Sequence, residues 1–345
     1  MFFIRADGNE KIAMGHVMRC LTIAEALKRL GEEVLFITAD EKPVKMINGR
    51  GFAVRVLRGR YDDMEAELPG LTAVLTECGI TEQSKILVDS YYVTPYYLER
   101  LRRLAKVIVM DDEKKAIYPC DGLVNYNIFG KTLGYERDYP AQTKLFLGCS
   151  YMPLREQFRS CGYEVRDTVK HILFTTGGGD GRHAALLMAE RLLQKKKTDG
   201  EGLLWHIVCG PYHPDTGALE NLAAEHTFLQ VHKNVTHMSE LMQACDIAVS
   251  AAGSTLYELC SVGIPTVGFY FVENQRRNLE TFAQLTPVKN VGDFSAAPER
   301  VLDFIEKEVE VLCREKTLRK EISHIMKTIV DGAGADRLAE GMLSL

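Results

Sequence analysis

The feature that most restricts the fold of this chain is a regular alternation of short apolar segments with longer amphipathic ones. Four apolar runs in the first 110 residues have the length and the Val, Ile and Phe content of strands: Phe2–Ala6, Glu33–Thr38, Ile86–Asp89 and Val107–Met110. Four segments of helical character lie between or beside them, at 16–30, 42–50, 62–78 and 95–104. This alternation predicts a doubly wound α/β architecture, in which helices cover a parallel sheet.

The second half of the chain repeats the pattern. Strands are predicted near 170–175, 203–208, 227–231, 246–250 and 265–269, and helices near 181–196, 236–244, 254–262 and 275–285. Residues 118–168 have no clean period, and residues 298–345 are charged and helical. We therefore expect a first domain at 1–150, a linker at 151–168 and a second domain at 169–345 that includes the terminal helices. Two α/β lobes of this kind typically bind a ligand in a cleft at the carboxyl ends of their strands.

Composition excludes several function classes. The chain has 345 residues and a net charge of −5, so bulk attraction to nucleic acid is not expected. The longest apolar runs are strand-sized, and the start lacks the pattern of a signal peptide, so we expect a cytoplasmic protein without membrane insertion. The nine cysteines contain no CxxC pair, so no disulfide framework is predicted. The histidines are scattered without ligand spacing, so no metal site is predicted, and no cofactor is predicted either. Asp111-Asp112 fits a polar pair at a strand end better than a divalent-ion site.

The loop after the first predicted strand leads into a helix that opens at Gly15-His16. The positive end of a helix dipole attracts anions and disfavours a protonated imidazole. A neutral His16 at this position is suited to accept a proton as a general base. A histidine that only packs against the first turn is the alternative.

Two glycine-containing loops follow strands of the second half. In the first, Gly177 and Gly178 precede Asp180; it matches neither a P-loop nor a dinucleotide fingerprint, and it fits either close approach to a ligand or a tight turn. In the second, Gly253-Ser254-Thr255 offers N–H groups and hydroxyls to a diphosphate, and Glu258, one turn on, faces the same way. An ordinary helix N-cap with a first-turn acid is the alternative for the second loop.

Two further loops carry amide side chains. Asn274-Gln275 follows the strand at 265–269 and offers uncharged donors and acceptors, which suit hydroxyl and acetamido groups. Asn234 follows the strand at 227–231, where the backbone is placed to read the edge of a base. Alone, each of these signals has little specificity.

Taken together, these segments resemble a known family. Gly15-His16-Val17-Met18-Arg19-Cys20-Leu21 is similar to the G-H-x-x-R-C-L signature of the pseudaminic acid pathway hydrolases, which remove UDP from UDP-2,4-diacetamido-2,4,6-trideoxy-β-L-altrose. Further matches follow in family order to about residue 338: Asp111-Asp112, Cys120-Asp121 with Asn125 and Asn127, Leu154-Arg155-Glu156-Gln157-Phe158, Gly177-Gly178 with Asp180, Gly253-Ser254-Thr255 with Glu258, Asn274-Gln275, and Asp331-Gly332-Ala333-Gly334-Ala335.

The resemblance implies a GT-B-like fold of two Rossmann-like lobes, with UDP held mainly by the C-terminal lobe. It implies hydrolysis at the anomeric carbon, by C–O cleavage with inversion, of a UDP-activated diacetamido sugar. His16 is then the general base and Asp7 its orienting partner. The substrate-binding set is Gly15, Arg19, Gly177, Gly178, Asp180, Asn234, Gly253, Ser254, Thr255, Glu258, Asn274 and Gln275.

Three other functions stay open. The chain could be a GT-B glycosyltransferase that uses a UDP-amino sugar donor, a nucleotide-sugar binding protein without catalysis, or a UDP-hexose epimerase that releases UDP. One departure from the family bears on this choice, because Met14 stands where the family usually has a small residue. A longer side chain beside the base would reshape the sugar pocket.

Overall fold

The computed structural model describes residues 1–196, 202–210 and 213–345. These residues form two compact units. Unit 1 comprises Met1–Arg155 and Ala333–Leu345, and unit 2 comprises Glu156–Gly332.

The strands form two sheets in which every paired neighbour is parallel. Their bounds are β1 Phe2–Ala6, β2 Val34–Thr38, β3 Ala53–Val56, β4 Lys85–Asp89, β5 Lys106–Met110, β6 Gly122–Asn125, β7 Lys144–Leu147, β8 His171–Thr175, β9 Leu204–Cys209, β10 Leu229–Lys233, β11 Ile247–Ala251, β12 Thr266–Tyr270 and β13 Lys289–Asp293. Unit 1 has the order β3-β2-β1-β4-β5-β6-β7, and unit 2 the order β10-β9-β8-β11-β12-β13.

The helices follow the strands in the manner of repeated βα units. Their bounds are α1 Gly15–Arg29, α2 Val44–Gly49, α3 Met64–Glu77, α4 Pro95–Arg102, α5 Tyr135–Asp138, α6 Ala184–Lys196, α7 Thr216–Glu225, α8 Met238–Ala244, α9 Thr255–Val262, α10 Glu273–Leu285, α11 Pro298–Arg314, α12 Lys316–Ile329 and α13 Gly334–Leu343. Short 3₁₀ helices lie at Gly130–Leu133, Cys149–Tyr151 and Glu156–Phe158. In the described part of the chain, no helix is long and apolar enough to cross a membrane.

Burial explains why the first strand was easy to predict. All five residues of β1 are buried, as expected for a central parallel strand that helices cover on both faces. The apolar face of α1, including Val17, Leu21 and Ile23, is fully buried. The expected α/β architecture is confirmed.

The region expected to be irregular, 118–168, contains two strands. β6 and β7 have four residues each and extend the sheet of unit 1 beyond β5. Both strands are short, with Leu123 and Val124 buried on β6 and Phe146 and Leu147 on β7. Four residues between Gly, Pro and Tyr are too few to show a periodic pattern. These strands are stabilised by pairing with a neighbouring strand, which the local sequence does not reveal. β3, β13 and α7 were likewise not predicted.

The C-terminal helix also differs from expectation. α13 belongs to unit 1, where it packs against α1, whereas the sequence placed the whole of 169–345 in the second domain. Gly334 lets the start of α13 approach the backbone of Met152, also in unit 1, since a Cβ there would lie 2.2 Å from the carbonyl oxygen of Met152. Arg29 of α1 also donates to Asp336 of α13 at 2.6 Å. An amphipathic pattern shows that a helix buries one face, but it does not show which sheet receives that face.

Candidate active site

Polar side chains meet at the carboxyl edge of the unit 1 sheet. β1 and β4 are neighbours, and their last residues, Ala6 and Asp89, are paired in register. His16 lies in the first turn of α1, the helix that follows β1, and is 5% exposed. The strand order therefore brings the carboxylate of Asp89 to the imidazole of His16.

His16 and Asp89 form a buried hydrogen-bonded dyad. The Nδ1 atom of His16 lies 2.6 Å from Asp89 Oδ1, and Arg19 Nε donates to Asp89 Oδ2 at 2.6 Å. Burial acts to raise the pKa of Asp89, but the guanidinium of Arg19 and the imidazole of His16 outweigh it and hold that pKa well below its usual range. Asp89 is therefore an anion at neutral pH.

This anion sets the tautomer of His16. A nitrogen 2.6 Å from a carboxylate oxygen must carry a proton, so in the neutral ring Nδ1 donates and Nε2 carries the lone pair. Arg19 Nη2, 3.1 Å from the same Nδ1, is then a close neighbour in the cluster rather than its donor. Among the residues that the structure describes, none hydrogen-bonds Nε2. The dyad therefore has the geometry of a general base with an orienting carboxylate.

The structure assigns Asp7, the partner expected from the sequence, a different environment. Its Oδ2 accepts from Arg5 Nη1 at 2.6 Å, and its Oδ1 accepts from the backbone N–H of Ala39 at 2.7 Å. Arg5 also donates twice to Glu67, each time at 2.7 Å, and Tyr97 donates to Glu67 at 2.8 Å. Asp7 thus belongs to a buried network that ties β1 to the loop after β2, and Asp89 is the carboxylate at the imidazole.

Arg19 is held by protein groups at three strand ends. Besides Asp89 it donates to Asp112 at 2.7 Å and to the hydroxyl of Tyr126 at 2.6 Å. Asp111, next to Asp112, accepts from Tyr135 at 2.9 Å. Both carboxylates of the Asp111-Asp112 pair are thus engaged by side chains of unit 1. The part of the chain that the structure describes contains no group of three or more His, Cys, Asp or Glu arranged to hold a metal ion.

Tyr91 is a site residue that the sequence analysis missed. Its ring packs edge-on against His16, with 4.5 Å between ring centroids, and 44% of the residue is exposed. Lys115 lies 5.6 Å from the same ring centroid. Tyr91 and Lys115 line a pocket together with Arg19, Asp89 and Asp112. The available signal was the Asp89-Ser90-Tyr91 segment at a strand end.

The side chain of Met14 packs within its own loop. A Cβ on Gly8 would lie 2.7 Å from Met14 Sδ, so the thioether covers that glycine. The same loop is stabilised by Asn9 Oδ1, which accepts from the backbone N–H groups of Lys11 and Ile12. Gly15 has open space around its Cα.

In unit 2, three of the predicted ligand loops come together. β8 and β11 are neighbours in the sheet. After β8 the chain continues to β9 on one side, and after β11 it continues to β12 on the other, so this position is a topological switch point. A Cβ on Gly177, after β8, would lie 3.8 Å from Thr255 Oγ1, after β11. A Cβ on Gly253 would lie 3.8 Å from Gln275 Nε2, after β12. Gly177 adopts a φ of +84°, which favours glycine.

The hydroxyl of Ser254 is not used as a helix cap. Ser254 is the N-cap residue of α9, yet its side chain makes no capping hydrogen bond. The residue is exposed, and Thr255 and Glu258 of the first turn are half-buried. The arrangement is therefore compatible with a ligand at the first turn of α9.

The amide of Gln275 has a fixed orientation, whereas Asn274 is exposed. Gln275 Oε1 accepts from the backbone N–H of Phe271 at 2.9 Å, so its Nε2 group is the one that faces Gly253. Asn234 lies apart from these loops. It follows the edge strand β10, which β9 separates from β8, and its φ is +51°.

The carboxylate of Asp180, expected to bind substrate, caps a helix. It is buried and accepts from the backbone N–H groups of Ala184 at 2.9 Å and Ala185 at 2.8 Å, at the start of α6. These bonds satisfy N–H groups that the first turn of a helix otherwise leaves unpaired.

Replacement of Asp180 by Ala should lower the free energy of unfolding by about 1–2 kcal/mol through loss of this cap. Asp180→Asn should restore only part of it, because its amide offers one acceptor oxygen to the two N–H groups that the carboxylate binds. Urea denaturation measures both variants. UDP affinity measured on folded Asp180→Ala should stay within a few-fold of that of the unmodified chain. A complete loss of UDP binding in a folded variant would mean that the carboxylate contacts ligand directly.

The chain is similar to known proteins in both sequence and structure. The chain matches no protein-family model. It is 26% identical over 90% of its length to an uncharacterised protein of Methanocaldococcus jannaschii, and it spans 64% of that protein. It is 23% identical to the spore coat polysaccharide biosynthesis protein SpsG of Bacillus subtilis, over 97% of this chain and 95% of that one. It is also 23% identical to the UDP-2,4-diacetamido-2,4,6-trideoxy-β-L-altropyranose hydrolase of Campylobacter jejuni, over 79% of this chain and 92% of that one.

Two solved structures illustrate the fold. MurG of Acinetobacter baumannii aligns with a TM-score of 0.69 at 15% identity, over 100% of this chain and 99% of that one. The UDP-GlcNAc 2-epimerase of Neisseria meningitidis, bound to UDP-GlcNAc, aligns with a TM-score of 0.64 at 13% identity, over 100% of both chains. The chain therefore has the GT-B-like fold with two Rossmann-like α/β domains. The similarity to the pseudaminic acid pathway hydrolases inferred from the motifs is confirmed.

Proposed function

We propose that this chain hydrolyses a UDP-linked diacetamido-trideoxy hexose at its anomeric carbon and releases UDP and the free sugar. The observation that carries the proposal is the buried His16–Asp89 dyad, whose Nε2 atom has no hydrogen-bond partner among the described residues. The name of the Campylobacter jejuni relative, a hydrolase of such a UDP-sugar, supports the substrate class.

In the proposed reaction His16 Nε2 takes a proton from water, and the water oxygen attacks C1 of the sugar. The C1–O bond breaks with its electron pair going to the β-phosphate oxygen, so that the product has inverted configuration. Asp89 stabilises the imidazolium that forms, because its carboxylate is already hydrogen-bonded to Nδ1. A diphosphate is a good leaving group and needs little help from a general acid, so activation of water is the main chemical task.

We assign binding of UDP to unit 2. The N–H groups of Gly177, Gly178 and Gly253 and the hydroxyls of Ser254 and Thr255 would hold the diphosphate. The contact of the Gly177 and Gly253 loops across the β8–β11 switch point supports this assignment. Negative charge that develops on UDP is then stabilised by N–H and O–H dipoles that are already oriented.

Four further residues complete the proposed UDP site. Gln275 supports the diphosphate loop through its Nε2 donors, which face Gly253. Glu258 would accept hydrogen bonds from the ribose diol, and Asn274 would contact phosphate or sugar. Asn234, at the end of β10, is kept as the candidate for the uracil edge.

Replacement of Glu258 by Gln should weaken UDP binding about tenfold, the effect of losing roughly 1.4 kcal/mol of charge-assisted hydrogen bonding. Isothermal titration calorimetry with UDP measures the change. Glu240→Gln is the matched control, because Glu240 is an exposed first-turn acid of α8. Equal affinity of the Glu258 variant and the control would remove Glu258 from the ribose site.

The reaction itself is tested by ¹H NMR with UDP-2,4-diacetamido-2,4,6-trideoxy-β-L-altrose in ¹⁸O-labelled water. Unlabelled UDP together with ¹⁸O at C1 of an inverted sugar is the expected result. Label on UDP would mean attack at phosphorus and would overturn the mechanism. UDP binding without turnover would favour a transferase that lacks its acceptor or a binding protein, and a sugar with altered configuration at C2 would favour an epimerase.

A further inference from the structure

Three histidines of unit 2 form a continuous hydrogen-bonded row, which we call the histidine row: His171 on β8, His206 on β9 and His232 on β10. His171 Nδ1 lies 2.9 Å from His206 Nε2, and His206 Nδ1 lies 2.9 Å from His232 Nε2. The ring planes are inclined to each other by 35° and 30°, with centroids 5.2 Å apart in both pairs. The row is separate from the diphosphate loops proposed above.

The strand register explains how three residues so far apart in sequence line up. Leu173 of β8 pairs with His206, and Val208 of β9 pairs with His232. Side chains two residues apart on a strand share a face, so all three imidazoles project from the same face of the sheet. Each step to the next strand is a diagonal one. The row ends on β10, which lies at the edge of the sheet in the described part of the chain and pairs there with β9.

The number of protons on the three imidazoles determines which hydrogen bonds the row can form. A neutral imidazole has one N–H and one lone pair, so a row linked by two N–H···N bonds has a single direction in which each ring donates to the next. Both nitrogens of His206 are used in this arrangement. A protonated His206 would donate at both nitrogens, and both bonds are kept when His171 Nδ1 and His232 Nε2 accept and the outer nitrogens of those two rings carry their protons.

The two ends of the row are different, because their outer nitrogens are not used. Within the described residues, His171 Nε2 and His232 Nδ1 have no hydrogen-bond partner. One proton can therefore enter at either end, and the direction of donation adjusts without loss of a bond. After that, the remaining lone pairs are the two that accept the hydrogen bonds of the row, so a second proton must break one of these bonds.

The surroundings also oppose charge at the centre. Burial, with smaller contributions from His232 and His171, lowers the pKa of His206 to about 4, and burial lowers the pKa of His232. The carboxylate of Asp246 has the opposite effect and acts to raise the pKa of His206. Its carboxylate is already shared among Arg166 and the backbone N–H groups of Lys170 and His171.

We propose that His171, His206 and His232 form one proton-binding site, which holds a single proton with the row intact and loosens the edge strand β10 when a second proton binds. This inference does not depend on the proposed hydrolysis. β10 is the strand that responds because, among the described strands, it pairs with β9 alone, so repulsion between two imidazolium groups is opposed from one side.

The direction of the pH effect follows from linkage. The pKa of His206 in the folded chain, about 4, lies below the ordinary value of 6.5. The unfolded chain therefore binds more protons between these values. The contribution of neutral His206 to the free energy of unfolding is fully present above pH 6.5 and is lost as the pH falls toward 4.

The experiment uses the full chain, with urea unfolding between pH 8 and 4.5 and hydrogen exchange of the β10 amides over the same range. We expect the unfolding equilibrium constant to rise by up to a hundredfold per pH unit well below pH 6.5, the limit for two protons taken up on unfolding, because three free imidazoles bind three protons and the row holds one. Exchange at Gln230 and Val231 should accelerate over the same interval, before that of the central strand β11. Imidazole ¹⁵N NMR should show coupled titration of the three rings.

His206→Gln is the diagnostic variant, because its amide can both donate and accept but does not titrate. It should remove most of the pH dependence. His237→Gln, which changes a 74% exposed imidazole on the same unit, should retain it. If His206→Gln does not fold, His232→Gln replaces it with the same expectation. Independent titration of three rings near pH 6.5, or an unchanged pH slope in a folded variant, would overturn the proposal.

Discussion

Replacement of His16 by Asn should lower the rate of UDP release about 10²–10⁴-fold, the range expected for loss of a general base. Affinity for UDP should stay unchanged, because the proposed UDP contacts lie in unit 2. Asn is suited to this test since its amide can still donate to Asp89 and keep that carboxylate paired, while it offers no basic nitrogen to water. Steady-state release of UDP from the UDP-sugar and calorimetric binding of UDP measure the two quantities.

The control for this variant is His237→Asn, which changes an exposed imidazole and should leave both quantities unchanged. Urea denaturation verifies that His16→Asn is folded. Full turnover by the folded His16→Asn protein would eliminate His16 as the base. Loss of UDP affinity together with turnover would instead indicate that His16 contacts the nucleotide.

Replacement of Asp89 by Asn should reduce both stability and catalysis. The carboxylate is buried and pairs with Arg19 and His16, so its neutralisation leaves a buried guanidinium with fewer partners. Loss of one member of such a pair typically lowers the free energy of unfolding by about 3–5 kcal/mol. Turnover per folded molecule should also fall at least about 10²-fold, because the imidazole loses the anion that stabilises its protonated form. Urea denaturation and steady-state kinetics on the folded fraction measure the two effects.

Asp7→Asn is the matched comparison, and it separates the two carboxylates. Asp7 is as deeply buried as Asp89 and is also paired with an arginine, Arg5, at 2.6 Å. Its replacement should therefore destabilise the fold by a similar amount but leave turnover per folded molecule within a few-fold. A larger catalytic loss for Asp7→Asn than for Asp89→Asn would assign the orienting role to Asp7.

Asp7 and Asp89 cannot be distinguished as the partner of His16 from the sequence. Both are aspartates at the end of an apolar run, and Asp7 is nearer to His16 in the chain. The sheet places β4 beside β1 and pairs Asp89 with Ala6, whereas Asp7 is taken up by Arg5 and Ala39. Strand order is a nonlocal property, so no local pattern could distinguish the two residues.

The same limit applies to Asp180 and to the histidine row. The sequence showed an acid after a glycine loop, but only the three-dimensional structure shows that its lone pairs are used by the first turn of α6. His171, His206 and His232 lie 35 and 26 residues apart and carry no motif. Their contact depends on three strands being adjacent in a particular register.

What the sequence determined by itself is the α/β class, most of the central strands, the helix that opens at Gly15-His16, and the loops after β8, β11 and β12. These follow from burial and from local conformational preference, which a window of ten to twenty residues contains. The tertiary structure alone decided that α13 returns to unit 1, that β6 and β7 extend its sheet, and that Asp89 and Tyr91 contact His16. The physical reason is that these features depend on which strands and helices become neighbours, and pairing free energy between distant segments leaves no periodic signal in either segment.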